Sequence, residues 1–375
     1  MLVRTYENAE ISKDSYEEFS EAIRWIQPNE QCDSIAGGAV CINIERCTVL
    51  YKYILQENLP TDEAKEAISK FICNKKQKKV CCPAIVPEFI TSNLVVNHME
   101  HRNYKLLPEN CGSGATAEKI INGNETELFE FPWAVALKYD TGSTPWKCGA
   151  SLISERYVLT AAHCIKSDLK LTTVRLGEHN FDKEPDCEQK GPVLVQCADT
   201  PQDFEISEND AIVHPDYNSE TYDNDIALIR LRKPANISSD SVSPVCLPIT
   251  VPEKTTDFPD YTVIGWGRTG TDDFSPILLK VTVPTVTNVE CASKYATRRQ
   301  VSKNHLCAGG KNTRDTCRGD SGSPLMAEYT LDDRFRTLQY GIVSLGASVC
   351  GFEGFPTLYT RVARYVGWIL DNMQP

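Results

Sequence analysis

The sequence lacks three features: an excess of basic charge, a long apolar run and a C-x-x-C pair. Its 39 basic side chains are outnumbered by 51 acidic ones, and a net charge of -12 has the wrong sign for binding phosphate, so we expect no nucleic-acid partner. No stretch is both long and apolar enough to cross a bilayer, so no membrane partner is expected. The absence of C-x-x-C excludes zinc-ribbon and thioredoxin-like sites.

Sixteen cysteines are present, an even set that indicates eight disulfides. Disulfides persist in oxidising compartments, so we expect a secreted, extracellular protein. The N-terminal segment 1–31 disagrees, because it is acidic and has no apolar core of the kind that a secretory signal needs. We expect the true first exon to be missing or mis-assigned in the gene model, which sequencing the 5′ end of the transcript would test.

The cysteine density changes abruptly along the chain, with six cysteines between residues 32 and 82 and ten from 111 to 350. A module of about 50 residues buries too little surface to be stable alone, so three bridges there would act as staples. Proline and small residues between the two groups are typical of an exposed, cleavable linker. We predict an N-terminal segment, a stapled module, a linker and a large domain, with bounds 1–31, 32–82, 83–119 and 120–375.

Short apolar runs separated by glycine, proline, aspartate and asparagine fill the large domain and predict an all-β fold. Its end alone shows helical periodicity, since Val362, Val366 and Ile369 recur at helical spacing. The sequence therefore predicts one C-terminal helix after a series of strands.

Three polar residues stand in motifs suited to acyl transfer, which needs a nucleophile, a base and a carboxylate that holds the base. Ser321 lies between Gly319 and Gly322, where a sharp turn could direct the N–H groups of Gly319 and Ser321 at one point. His163 follows a strand-like run, and Asp225 opens another. Each signal alone is modest, because a histidine beside a cysteine or an aspartate before a strand is usually structural.

In the order His, Asp, Ser, these motifs resemble those of the trypsin and chymotrypsin family. The resemblance covers about residues 120–373 and includes IGWG at 264–267 and SLG at 344–346. It implies two packed six-stranded β-barrels with a C-terminal helix and a site between the barrels. It makes His163 the general base, Asp225 the residue that orients it and Ser321 the nucleophile, with no cofactor for catalysis.

One departure from the family pattern is Ser323, which stands where a second glycine is usual. A small residue is expected to be tolerated there. An inactive homologue that serves as an adaptor is the competing interpretation, and the intact triad and oxyanion positions favour an active enzyme.

The bond Lys119-Ile120 resembles the activation site of the family, at which cleavage frees an isoleucine amine. Asp320 matches the residue that accepts this amine, so we expect the intact chain to be an inactive zymogen. Asp315 matches the base of a pocket that selects arginine or lysine. The resemblance adds three further substrate-binding positions, Ser344, Gly346 and Thr357, and Thr357 replaces a glycine and is expected to narrow the pocket.

The resemblance also implies the disulfides of the large domain. It pairs Cys148 with Cys164, Cys291 with Cys307, Cys317 with Cys350, and Cys111 with Cys246. Cys187 and Cys197 remain, in an insertion, and we pair them with each other. The N-terminal cysteines resemble those of the clip domain of arthropod proteases, which implies Cys32–Cys81, Cys41–Cys73 and Cys47–Cys82.

A clip domain before such a protease implies a haemolymph enzyme in an arthropod cascade that activates prophenoloxidase or a Toll ligand, or that acts in development. The expected partners are a protein substrate, an upstream trypsin-like activating protease and a serpin inhibitor. A digestive protease would explain the large domain alone, but not the clip module.

Two further sites are predicted. The oxygen-rich segment 176–186 resembles the structural calcium loop of the family, with Glu178, Asn180 and Asp186 as ligands, although an acidic surface turn is the alternative. Asn124 and Asn236 begin glycosylation sequons.

Overall fold

The chain divides into two units, residues 1–97 and residues 98–375. Among the residues that the structure describes, no helix is long and apolar enough to cross a membrane. The computed structural model describes residues 40–43, 72–74, 79–82, 98–114, 124–142, 145–190, 193–249, 258–268, 274–295, 301–311, 316–331, 334–346 and 352–375.

The first unit contains a small antiparallel sheet in the order β1-β3-β2. Its strands are β1 (Val40–Asn43), β2 (Ile72–Asn74) and β3 (Lys79–Cys82). Residues 41 and 81 are opposite each other in the β1–β3 register, and a bulge interrupts the β2–β3 register between residues 72 and 74. The side chains of the six clip cysteines, and so their three predicted bridges, lie outside the described residues.

The second unit is built from two large antiparallel sheets, as an all-β pattern predicts. Its strands are β4 (Asn124–Glu125), β5 (Ala134–Tyr139), β6 (Trp146–Ser154), β7 (Tyr157–Thr160), β8 (Leu171–Leu176), β9 (Cys187–Lys190), β10 (Leu194–Cys197), β11 (Gln202–Glu205), β12 (Ala211–Val213), β13 (Ala227–Arg230), β14 (Asp260–Gly265), β15 (Leu279–Val286), β16 (His305–Ala308), β17 (Pro324–Leu331), β18 (Arg334–Leu345) and β19 (Thr357–Arg361).

Short helices complete this unit. The α-helices are α1 (Ala162–Ile165), α2 (Asn288–Tyr295) and α3 (Val366–Asn372), and the 3-10 helices are His98–Glu100, Tyr104–Leu106, Glu208–Asp210 and Val362–Tyr365. The last 3-10 turn buries Val362, and helix α3, which continues it, buries Val366 and Ile369. These are the residues whose spacing predicted a C-terminal helix. That prediction is confirmed.

The first sheet has seven strands in the order β11-β8-β5-β6-β7-β13-β12, one more than the predicted six. The extra strand arises because a 3-10 turn at Glu208–Asp210 interrupts the segment 202–213. In this turn the Asp210 carboxylate accepts hydrogen bonds from the N–H and hydroxyl of Ser207, both at 2.8 Å, which is a capping box. The turn divides the sixth strand into β11 and β12. Strand β11 pairs with β8 at one edge of the sheet, and β12 pairs with β13 at the other.

The second sheet closes on itself, because β14 pairs with both β17 and β15. Six strands form the ring, β14-β17-β18-β19-β16-β15, and short β4 adds to β15. The predicted fold of two barrels and a C-terminal helix is therefore confirmed, with one strand broken in the first barrel.

Buried residues connect the two barrels and α3. The core of the first barrel extends to Met326 and Ile342 of the second and to Ile369 and Leu370 of the helix. A buried hydrogen bond of 2.5 Å joins the Ser151 hydroxyl to the Gln339 side chain across this junction. This shared core fixes the barrels against each other, so the loops between them have a rigid base.

Residues 98–114 pack against the end of the chain. The amide of Asn103 donates to the carbonyls of Leu370 and Met373, both at 2.9 Å, and His101 Nε2 lies 3.0 Å from Asp371 Oδ1. Farther along, Arg336 donates to the carbonyls of residues 109 and 111. This part of the predicted linker is therefore held on the catalytic unit.

Four disulfides are described. Three are implied by the family resemblance, and the fourth is the predicted pair of the two remaining cysteines, Cys187 and Cys197. They join Cys111 to Cys246, Cys148 to Cys164, Cys187 to Cys197 and Cys291 to Cys307. Cys317 is also disulfide-bonded, and Cys350 lies outside the described residues. Cys187 and Cys197 close a two-stranded hairpin of β9 and β10.

Candidate active site

Asp225 lies at the centre of the candidate site, just before β13. The apolar residues that follow it are buried in the first barrel, and this anchors the aspartate at the base of the cleft. Its side chain is fully buried and accepts from the backbone N–H of His163 at 2.9 Å, from His163 Nδ1–H at 2.8 Å and from the Ser344 hydroxyl at 2.5 Å. Three donors from two different parts of the chain therefore converge on one buried carboxylate.

His163 is placed by the short helix α1, which begins where β7 ends. The Cys148–Cys164 disulfide ties this helix to β6 and so fixes the backbone next to His163. The hydrogen bond to Asp225 fixes the imidazole itself. Since Nδ1 donates to Asp225, Nε2 carries the lone pair, as a general base requires. The sulfurs of Cys148 and Cys164 lie close to His163, but both are bonded in the disulfide, so this group does not form a metal site.

Ser321 sits on a turn that packs against β6. Its carbonyl accepts from the Gly149 N–H at 2.8 Å, and the N–H of Gly322 donates to Val343. Gly322 has a φ of +81°, and an added Cβ would lie 3.3 Å from Cys164 Sγ, beside the candidate base. Among the described residues, no hydrogen bond joins the Ser321 hydroxyl to His163.

Ser323, the departure from the family pattern, is buried against Gly149. Its hydroxyl occupies the space that a side chain at Gly149 would need. The extra atoms of Ser323 are thus accommodated by the absence of a side chain on β6.

The N–H groups of Gly319 and Ser321 are available at the turn. Within the described part of the chain, neither donates to a carbonyl or a side chain. Gly319 has a φ of +103°, a conformation that other residues adopt only at a cost. A Cβ there would lie 2.6 Å from Phe274, so ring and glycine are in close contact. Two such N–H groups can stabilise an oxyanion if they converge on it.

The Asp320 carboxylate lies against the IGWG motif. Its Oδ1 accepts from the Gly267 N–H at 2.9 Å, and its Oδ2 accepts from the Cys317 N–H at 2.8 Å. Side chains at Gly265 or Gly267 would collide with this carboxylate. The two glycines of the IGWG motif therefore make room for Asp320.

Thr357, which is predicted to line the specificity pocket, is fully buried. The Thr316 hydroxyl donates to Thr357 Oγ1 at 3.4 Å, and a Cβ on Gly346 would lie 3.0 Å from the same oxygen. Thr357 Oγ1 therefore lies close to Gly346, which is predicted to line the same pocket. Asp315, the predicted base of the pocket, lies outside the described residues.

The three predicted calcium ligands are each more than nine-tenths buried, and they lie close together. Asp186 Oδ2 accepts from the N–H groups of His179 and Asn180, whereas its buried Oδ1 has no hydrogen-bond partner. Burial raises the pKa of Glu178, and the charge of Asp186 acts in the same direction. Arg175 lies 3.0 Å from Glu178 and partly balances the two carboxylates.

Several predicted residues lie outside the described part of the chain, namely Lys119, Ile120, Asp315, Cys350 and the side chain of Asn124. Asn236 is exposed, and its Oδ1 accepts from the N–H and hydroxyl of Ser238 in the same sequon.

Sequence reasoning missed the residues that hold Asp225 from the second barrel. Ser344 was assigned to substrate binding, yet its hydroxyl donates to the Asp225 carboxylate. The Thr360 hydroxyl donates to the Asp225 carbonyl at 2.7 Å. Both contacts span more than 100 positions, and only the fold brings these residues together.

Comparison with known proteins gives one family model for each of the two units. The sequence model of the Trypsin family matches residues 120–369, and that of the Regulatory CLIP domain of proteinases matches residues 37–82.

Three known proteins illustrate the similarity. Phenoloxidase-activating factor 1 of Holotrichia diomphalia is 39% identical over 350 residues, which cover 90% of this chain and 91% of the relative. The CLIP domain-containing serine protease HP8 of Bombyx mori is 38% identical over 354 residues, 90% and 92% of the two chains. The crystal structure of the Drosophila Grass clip serine protease of the Toll pathway matches with a TM-score of 0.64 and 32% identity, covering 89% of this chain and 94% of that one. The chain therefore belongs to the clip-domain serine proteases of the trypsin family.

Proposed function

We propose that the protein is a secreted serine endopeptidase zymogen that gains activity on cleavage at Lys119-Ile120. The observation that carries this proposal is the buried Asp225 carboxylate, which accepts from both N–H groups of His163 and leaves Nε2 as a base. In the cleaved enzyme, His163 removes the Ser321 hydroxyl proton as the oxygen attacks the substrate carbonyl. The N–H groups of Gly319 and Ser321 then stabilise the oxyanion, and His163 returns the proton to the leaving amine.

Activation in this proposal depends on Asp320. Its carboxylate accepts from two backbone N–H groups and is partly exposed, and a new amine at Ile120 would bring a positive charge to it. Because Asp320 precedes Ser321, that ion pair would move the oxyanion turn into its working position and bring Ser321 within reach of His163.

The proposed substrates are proteins cleaved after arginine or lysine, with Asp315 as the anionic base of the pocket. The names of the relatives, a phenoloxidase-activating factor and a protease of the Toll pathway, support a place in an extracellular cascade of this kind in haemolymph. Such a place requires an upstream trypsin-like protease that cuts after Lys119, and a serpin as the natural inhibitor.

The experiment that tests the function uses the full chain before and after cleavage, with the cut confirmed by N-terminal sequencing. Hydrolysis of arginyl, lysyl and alanyl peptide esters is measured, together with labelling by a serine-directed phosphonate. We expect hydrolysis and labelling only after the cut, on arginyl or lysyl esters. Cleaved protein that is inert on all three esters and remains unlabelled would replace the proposal with a non-catalytic adaptor.

Thr357 is expected to limit arginine more than lysine, because a planar guanidinium needs more width than an ammonium group. Its Oγ1 lies near Gly346, so Thr357→Gly should raise kcat/KM for arginyl esters about tenfold relative to lysyl esters. The matched variant Thr357→Ser keeps Oγ1 and should leave the ratio near wild type. An unchanged ratio in Thr357→Gly would show that this side chain does not shape the pocket.

We propose that Glu178, Asn180 and Asp186 bind a structural calcium ion. The buried Asp186 Oδ1, which has no hydrogen-bond partner among the described residues, supports this proposal. We expect calcium to raise the unfolding temperature relative to EDTA, by about 2–4 °C for each kcal/mol of binding free energy. Asp186→Asn should lose this rise, whereas the control Asp182→Asn, an exposed carboxylate in the same loop, should keep it. Equal unfolding temperatures with calcium and EDTA would exclude the site.

A further inference from the structure

A second histidine is buried behind the candidate triad. His305 is only 1% exposed and opens β16, where it pairs with Thr360 of β19. Thr360 is the residue whose hydroxyl holds the Asp225 carbonyl. His305 is thus the strand partner of a residue that holds the backbone of Asp225.

The hydrogen bonds of His305 define its protonation state. Nδ1 accepts from the Ser302 N–H at 3.1 Å, so it carries no proton. The Ser302 hydroxyl also lies 3.1 Å from Nδ1, but its proton is directed to Asp223 Oδ1 at 2.8 Å. Nε2 lies 3.3 Å from the Tyr222 carbonyl and must donate to it. The ring is therefore neutral, with its one proton on Nε2.

The Tyr222 carbonyl that His305 holds belongs to the turn that presents Asp225. Tyr222 and Asn224 both have positive φ values, +61° and +56°, and this conformation is unfavourable for tyrosine, whereas asparagine tolerates it. The ring of Tyr222 also contacts His163, with centroids 5.7 Å apart. His305 therefore supports a strained turn that touches the triad at Asp225 and at His163.

Three charged groups and one backbone carbonyl face His305. The carboxylates of Asp223 and Asp225 favour its protonation, and so does its hydrogen bond to Tyr222. Burial opposes protonation more strongly, and the Arg361 side chain, which donates to the His305 carbonyl at 3.3 Å, adds to that effect, so the pKa of His305 lies below its usual value. His305 is therefore neutral at neutral pH and becomes charged only in acid.

Protonation would break the arrangement at Nδ1. A proton on Nδ1 would face the Ser302 N–H, so Ser302 must move or the ring must turn toward Asp223, whose Oδ1 lies 3.9 Å away. Either change disturbs the hold on the Tyr222 carbonyl. Since the backbone of Tyr222 is strained, releasing this hold lets the turn relax and shifts Asp225 relative to His163.

We propose that His305 is a positioning residue for the triad: its neutral ring holds the Tyr222–Asn224 turn, and acid releases that hold and inactivates the enzyme reversibly. The proposal rests on the proposed function, since it concerns the working state of a catalytic site. It assigns a role to a buried histidine that the reaction itself does not use.

The test is the pH dependence of kcat/KM on an arginyl ester, for cleaved wild type and for His305→Gln and His305→Leu. Glutamine can donate to Tyr222 but does not become charged, so kcat/KM of His305→Gln should fall in acid in a single protonation step. Wild type should show a second proton-dependent step, and its kcat/KM should fall about tenfold further than that of His305→Gln between about pH 7 and pH 4.5. Leucine lacks the donor and should lower kcat several-fold even near neutral pH, with glutamine restoring it.

A readout independent of turnover separates this proposal from the function itself. The downfield proton resonance of His163 Nδ1–H should show a second titration step in wild type that is absent in His305→Gln. Thermal unfolding near neutral pH shows whether each variant is folded. Parallel pH profiles and a single NMR step in all folded proteins would overturn the role of His305, whereas inert wild type would overturn the proposed function and leave the NMR result to decide on His305.

Discussion

Replacing Asp225 with asparagine is expected to lower kcat of the cleaved enzyme about 10⁴-fold without unfolding it. The carboxylate now accepts from two N–H groups of His163 and from the Ser344 hydroxyl. An amide has one oxygen, so its NH₂ group must face one of these donors unless His163 Nδ1 gives up its proton. That proton then resides on Nε2, and the imidazole can no longer accept the proton of Ser321.

The measurement is kcat on an arginyl ester, with active enzyme counted by burst titration and the unfolding temperature recorded in parallel. Asp216→Asn is the matched control, because it removes the same charge from an exposed position nine residues earlier in the chain. We expect this control to keep wild-type kcat. If folded Asp225→Asn kept it as well, the assignment of Asp225 as the partner of the catalytic base would be wrong.

Replacing Gly319 with alanine has the next largest expected effect, a loss of about 10²–10³-fold in kcat with little change in KM. The φ of +103° is strained for alanine, and its Cβ would lie 2.6 Å from Phe274 and 2.9 Å from the Gly267 Cα. The turn must therefore shift, and the Gly319 N–H moves with it. One oxyanion donor is then lost, whereas substrate binding in the pocket is retained.

Gly354→Ala serves as the control for backbone strain. Gly354 has a φ of +81°, but nothing lies within 4 Å of an added Cβ. Its kcat should stay close to wild type, even if its unfolding temperature falls. A loss of kcat in Gly354→Ala as large as that in Gly319→Ala would mean that strain, and not a displaced N–H, explains the effect.

The fold class followed from the sequence because each barrel strand is short, apolar and bounded by turn residues, and because the helical spacing at residues 362–369 is local. The break in the sixth strand of the first barrel was missed, although its cause is also local. Ser207 and Asp210 have the spacing of a capping box, and this pattern favours a helical turn over a continuous strand. Weighing it against the apolar residues around it would have predicted two short strands.

Sequence motifs predicted the candidate catalytic residues, but not the contacts that position them. The residues of each motif are adjacent in sequence, so His163, Asp225 and Ser321 were recognisable one by one. The contacts that position them are not local: Ser344 reaches Asp225 from the second barrel, and His305 reaches Tyr222 across a similar gap. No sequence spacing encodes such pairs, because they depend on how β16, β18 and β19 lie against the turn before β13.

The packing of residues 98–114 has a consequence for the molecule after the activating cut. Cys111 is bonded to Cys246, and Asn103 and His101 contact the C-terminal helix, so a cut at residue 119 separates the chains without releasing the N-terminal part. A short covalent tether of this kind keeps two modules at an effective concentration of about millimolar. A surface or protein that captures the clip module, even weakly, would therefore hold the protease beside it, and diffusion away would require reduction of a single bond.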